Sequence, residues 1–194
     1  MKRKRIRDIR YEELIDATIA AIHRKGFADV TMAEIAAEAD AATASINYYF
    51  GSKDRLLAAT MRRLLRLLRT SLLERLSAAN GPMERLTAIV EANFDNRIFT
   101  VEQCSVWVQF WAVAPYRSDL ARLQRINRAR VRSHMRAELR ALLPPETAEV
   151  ARVALQSYLD GVWLDAAQSG SPLAPAAARR EAARVVKLIL AANA

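Results

Sequence analysis

Apolar positions recur at three- and four-residue intervals along almost the whole chain, the spacing that keeps one face of a helix buried. Leu14, Ala17, Thr18, Ala21 and Ile22 mark the inner stripe of a first helix predicted over Tyr11–Lys25, with Gly26 as its stop. A short amphipathic segment begins at Thr31. There Thr31 and Glu34 have the spacing of a capping box, while Met32, Ile35, Ala36 and Ala39 share one face. Asp40-Ala41-Ala42 reads as a tight turn, and Thr43–Tyr49 as a second short helix with Ile46 and Phe50 turned inward. Two short helices joined in this way form a helix-turn-helix, whose second helix can enter the major groove of DNA.

Longer helices follow. The stripe Leu56, Leu57, Met61, Leu64, Leu65, Leu68 and Leu72 predicts a fourth helix over about Lys53–Ala79, ended by Asn80-Gly81-Pro82. Five more are predicted over Met83–Asn96, Thr100–Ala114, Arg117–Leu143, Glu146–Ser169 and Pro175–Ala192, with Thr100 and Gln103 as a second capping box. The expected fold is all-α. A helix-turn-helix DNA-binding domain with a basic N-terminal arm spans 1–52, and a helical ligand-binding and dimerisation domain spans 53–194. The last two helices carry Val150, Val153, Leu155, Leu159 and Val162, then Val185, Val186, Leu188, Ile189 and Leu190, with no later helix to cover them. Such a pair either docks on its own copy in a two-fold homodimer or closes the core of the monomer. The dimer suits paired recognition helices reading a palindromic operator.

Composition narrows the classes. The chain has 194 residues, is 52% hydrophobic and has only five glycines, enough to bury a real core. No stretch approaches the roughly 18 apolar residues that cross a bilayer, so no membrane partner is expected. The opening MKRKRIR lacks the apolar run of a signal peptide. A single cysteine, Cys104, excludes an internal disulfide and fits a reducing cytoplasm, where it reads as a small buried apolar residue. The net charge is +9, yet residues 1–60 hold ten Lys/Arg against nine Asp/Glu, so nearly all of the excess lies beyond the helix-turn-helix. What counts for DNA is local: Lys2, Arg3, Lys4, Arg5, Arg7 and Arg10 against Asp8, a flexible arm able to neutralise phosphates. There is no glycine-rich phosphate loop, H-E-x-x-H or C-x-x-C, and His23 and His134 stand alone, His23 in a solvated turn. No enzyme, cofactor or metal site is expected.

Aromatics make up only 7% of the chain, yet several gather beyond residue 90: Phe94, Trp107, Trp111, Tyr116 and Trp163. Trp107 and Trp111 are four apart and share a helix face; Asp160 and Trp163 are three apart and do likewise. Co-facial tryptophans with a nearby acid can box a quaternary ammonium ion through cation–π attraction. Core packing accounts for the same spacing.

The run T-x-x-x-I-A-x-x-A from Thr31, the I-x-x-Y-F from Ile46, and then Lys53 and Leu56-Leu57 resemble the DNA-binding domain of the TetR family of repressors. Asp40 stands where that family usually has a turn glycine, Ala42 where a serine often caps the recognition helix, and Ala44 where a glycine is frequent. The strings NFD, WVQFWA and DGVWLDAAQSGSPL, with LIDATIAAI and LLAATMR, further resemble the choline-responsive branch of TetR-type repressors, which regulate glycine betaine synthesis. The resemblance implies a homodimeric repressor of double-stranded operator DNA controlled by choline or a similar cation. Thr43, Ala44, Ser45, Asn47 and Tyr48 would then face base edges. Thr31, Tyr49, Lys53 and the arm would hold phosphates, with Ala33 on the same surface. Phe94, Trp107, Trp111, Tyr116, Asp160 and Trp163 would line the effector site. Two other readings remain open: a multidrug-type regulator of bulkier lipophilic cations, and a helical interaction protein that binds no DNA.

Overall fold

The computed structural model describes residues 6–170 and 174–192. Lys2, Arg3, Lys4 and Arg5 of the expected arm, and Ser171 and Pro172 of the loop before the last helix, lie outside the described residues. Nine α-helices and two single 3-10 turns, with no strand, form the secondary structure among those described.

Helix α1 spans Ile6–Lys25, starting earlier than the apolar stripe indicates. Arg7 and Arg10 are therefore helical and not part of a flexible arm. Arg10 meets Glu13 on the next turn at 2.9 Å and donates to the Asp40 carbonyl at 3.1 Å, which fixes it to the turn of the helix-turn-helix. Helices α2 (Met32–Glu38) and α3 (Thr43–Phe50) follow, and then α4 (Lys53–Leu76). Beyond Leu76 the backbone tightens, with Ala78 and Ala79 donating to the carbonyls three residues back, so α4 stops short of Ala79.

Helix α5 (Pro82–Glu91) starts on a proline that has no N–H to lose, and runs into a 3-10 turn at Ala92–Phe94. The side chain of Asn93 donates to the Ile89 and Val90 carbonyls and so competes with a further α-turn. Helix α6 (Val101–Val113) is capped by Thr100, whose hydroxyl accepts from Gln103 N at 3.3 Å. The return half of that expected box is not made, because Gln103 Nε2 donates to the Arg97 carbonyl instead. A 3-10 turn at Ala114–Tyr116 leads to α7 (Ser118–Leu142), α8 (Pro145–Ser169) and α9 (Pro175–Ala191).

One hydrophobic core runs through all of this, from Leu14 and Phe27 through Leu56 and Leu64 to Phe94, Leu155 and Val186. Cys104 is part of it, and burial pushes its thiol up to about 12, far from a reactive thiolate. The apolar residues of α8 and α9 divide. Leu155, Leu159 and Val186 close the core of the monomer, while Val150, Val153, Leu164 and Leu188 stay exposed. Among the described residues no helix is long and apolar enough to cross a membrane.

Candidate DNA-binding surface and ligand cage

The helix-turn-helix is assembled from local rules. Thr31 Oγ1 accepts from Glu34 N at 3.2 Å and Glu34 Oε2 accepts from Thr31 N at 2.9 Å, a complete capping box. At the other end of α2, Ala41 N donates to Ala36 O at 2.9 Å and Asp40 N to Ala37 O at 3.3 Å, the paired bonds of a Schellman closure. That closure needs a left-handed residue, and Asp40 supplies it with φ of 44°. Aspartate visits this region more readily than most side chains do, so the turn survives without glycine. Helix α3 has no such help at its start, since Ala42 offers no side-chain cap and Thr43 does not replace it. It is held by Ile46 and Phe50, both buried, and Phe50 stacks at 4.8 Å on Tyr11 of α1.

This packing leaves Ala42, Thr43, Ala44, Asn47 and Tyr48 exposed along the outer face of α3, with Ser45 and Tyr49 half-buried at its edges. Thr31 and Ala33 are exposed at the start of α2. Lys53, at the first turn of α4, is half-buried, and its Nζ donates to the Ala28 carbonyl at 3.0 Å. Its ammonium thus also ties α4 to the loop between α1 and α2.

A second tie crosses from that loop to α6. Gln109 Oε1 accepts from Phe27 N at 2.6 Å, and Gln109 Nε2 donates to Ser105 Oγ at 3.1 Å. Phe27 is buried just after Gly26 has closed α1, so its N–H has left the helix ladder and Gln109 satisfies it. The sequence shows Gln109 only as the polar middle of WVQFW.

On the opposite side of α6 the tryptophans meet. Ring centroids of Trp107 and Trp111 lie 6.4 Å apart, Trp107 and Trp163 5.8 Å, and Trp111 and Trp163 6.5 Å. Trp107 and Trp163 meet edge to face at 88°, and Trp111 is tilted by 50° and 40° to the other two, so the three rings pack on one another beside the cavity. They line a cavity of about 40 Å³ with Asn93, Leu68 of α4, Asn127 and Val131 of α7, and Gln156, Leu159 and Asp160 of α8. The indole N–H groups of Trp107 and Trp163 are buried without a hydrogen-bond partner. Buried indoles usually find one.

Asp160 is the only charged side chain in the lining among the described residues. Its Oδ1 accepts from Gln156 Nε2 at 2.8 Å, and its Oδ2 lies 3.6 Å from Arg128 Nη2. Burial raises its pKa, and Gln156 and Arg128 offset part of that rise.

Two of the expected cage residues sit elsewhere. Phe94 is fully buried behind the site, edge-on to Phe99 at 5.0 Å, and Phe99 in turn meets Trp163 at 6.0 Å. Tyr116 is 87% exposed on the turn before α7, because the chain leaves the core at Pro115. Asn93, Asn127 and Gln156 occupy the lining instead. Asp95, the last residue of NFD, is structural. Arg97 donates to it from both side chain and backbone and holds its carboxyl at about 2, and the same arginine reaches Glu74 of α4. His23, expected in solvent, is half-buried, with Nδ1 lacking a partner.

Comparison with known proteins places both parts. Residues 14–60 match the family described as bacterial regulatory proteins of the tetR family, and residues 82–191 match the BetI-type transcriptional repressor C-terminal family. The HTH-type transcriptional regulator BetI of Burkholderia thailandensis is 38% identical over 190 residues, covering 97% of each chain. A transcriptional regulator from Pseudomonas aeruginosa PAO1 is similar in structure with a TM-score of 0.71 at 27% identity, covering 95% of this chain and 91% of that one. A regulator from Saccharomonospora viridis, solved in complex with choline, shares the fold with a TM-score of 0.75 at 20% identity, covering 91% and 95%.

Proposed function

This chain belongs to the TetR family of bacterial regulators with a BetI-type repressor C-terminal domain, and from that premise we propose that its effector is choline or a similarly small quaternary amine. The observation that carries the effector reading is the convergence of three indole rings and one carboxylate on a single cavity. The rings attract a cation across their faces and Asp160 neutralises it. The structural neighbour that binds choline adds support at the level of the fold.

On this reading the protein acts in the cytoplasm as a homodimer, joined through the exposed apolar residues of α8 and α9, on a palindromic operator. Thr43, Ala44, Ser45, Asn47 and Tyr48 read bases, and Thr31, Ala33, Tyr49 and Lys53 lie along the phosphates. The controlled genes are those of glycine betaine synthesis. The multidrug alternative fits less well, since a cavity of about 40 Å³ would have to open far more for a bulky lipophilic cation than for a trimethylammonium group. Family membership sets aside a helical protein without DNA-binding function.

Calorimetry with choline and with its neutral isostere, in which carbon replaces the ammonium nitrogen, tests the cage. If two or three rings each contribute at the lower end of their range, the isostere should bind about five- to 150-fold more weakly, a loss of about 1–3 kcal/mol. Burial alone predicts the reverse, because the isostere is the more apolar molecule. Equal or tighter binding of the isostere would return the tryptophans to plain core.

A further inference from the structure

Arg128 lies on an α7 face crowded with arginines, and from sequence nothing separates it from its solvated neighbours. The structure gives it a distinct position. It is the only basic group paired with Asp160 among the described residues, and Asp160 is the one acid of the cage. Its neighbours Asn127 and Val131 form the α7 wall of the same cavity.

Two ion pairs join α7 to α8, and they differ in kind. Near the turn between the helices, Glu149 accepts from Arg136 at 3.0 Å and from Arg152 at 2.9 Å, a doubly held carboxylate. At the cage, Arg128 and Asp160 stand 3.6 Å apart without a hydrogen bond, and the arginine is half exposed. The first contact is a fixed end and the second a releasable one. The cavity is also too small for a trimethylammonium group, since about 40 Å³ holds only a few waters.

We propose, building on the cation-sensing function above, that Arg128 is a tethered competitor for the effector: it supplies the counter-charge of Asp160 in the ligand-free protein, and the incoming ammonium group displaces it. Displacement frees the cage end of α7 from α8 while Glu149 holds the other end. Just before α7, Arg117 pairs with Asp54 in the first turn of α4 at 3.0 Å. A shift of this part of α7 thus bears directly on the start of α4, next to the recognition helix. Arg128 sets sensitivity as well as transmission, because every ligand must outcompete it.

The test is calorimetry on the full chain with choline chloride and its neutral isostere as probes. Arg128→Gln removes the competitor and should tighten choline binding by about two- to fivefold, the worth of a partly exposed ion pair. Arg128→Lys keeps the charge and should remain close to the parent protein. The isostere, which cannot replace a cation, should gain nothing from Arg128→Gln. Choline affinity that is unchanged or weakened in Arg128→Gln overturns the competition, as does an equal gain for the isostere, which would indicate general loosening. A parent protein that binds neither choline nor tetramethylammonium would instead remove the cation-sensing reading, and the competition with it.

Discussion

The hydrogen bond from Phe27 N to Gln109 Oε1 is a short, direct contact between the DNA-binding helices and the helix that carries Trp107 and Trp111. Gln109→Met keeps the length and apolar volume of the side chain and removes the acceptor. Phe27 N–H then has no partner, because Gly26 N has already closed α1 on the Ile22 carbonyl at 2.8 Å. An orphaned, largely buried donor costs about 1–3 kcal/mol, a large share of the roughly 5–15 kcal/mol that holds a domain folded. Denaturant unfolding should register that loss, and the Phe27 amide should exchange faster with solvent. Gln109→Glu keeps the acceptor for Phe27 N and can accept from the Ser105 hydroxyl, so it should lose less than Gln109→Met. The same contact bears on function. With Gln109→Met, the ratio of operator affinities with and without effector should fall towards one, since less of a shift in α6 reaches the α1–α2 loop. A methionine variant within about 0.5 kcal/mol of the parent, with unchanged exchange at Phe27 and an unchanged affinity ratio, would refute this reasoning.

Three further outcomes are expected. Asn47→Ala should cost about 1–3 kcal/mol on the cognate operator and relax preference at one base pair per half-site, read by competition against random DNA. Asp95 has its carboxyl held at about 2, chiefly by the Arg97 side chain, against an ordinary value of 3.8. Its folded pKa is depressed, so its contribution of about 2 kcal/mol is present above pH 3.8 and lost as pH falls through about 2; unfolding midpoints of Asp95→Asn should lack that part of the acid slope. Asp40→Gly relieves left-handed strain of about 1 kcal/mol while adding unfolded-chain entropy, so thermal unfolding should show a small gain, whereas Asp40→Val should lose stability clearly.

Local signals made the helices legible before any coordinates. Thr31 with Glu34, the stripe of α4 and the Asn80-Gly81-Pro82 stop are short-range patterns whose physics is complete within a few residues. The start of α1 was hidden because Ile6 to Arg10 lacks a stripe, and its helix is supported by a contact with Asp40 that lies far along the chain. The proposed cage was half legible. Trp107, Trp111, Trp163 and Asp160 announced themselves by spacing on two helices. Tyr116 has the right chemistry on the wrong side of a proline turn, while Phe94 lies one ring behind the lining. Asn93, Asn127 and Gln156 are ordinary polar residues that only the crossing of helices brings to one cavity. Arg128 and Gln109 were invisible for the same reason, since each is defined by a partner on another element.

The narrowness of the cavity, about 40 Å³ among three touching indoles, also has a bearing on time. If the proposed effector enters only when the helices part, entry waits on the protein and not on diffusion. Association should then rise with effector concentration only until it reaches the opening rate, and level off there. Brief excursions in effector would pass between openings without a response, while a sustained rise would be captured. On the proposed effector reading, a sensor of this build would filter its signal for duration before it reports on amount.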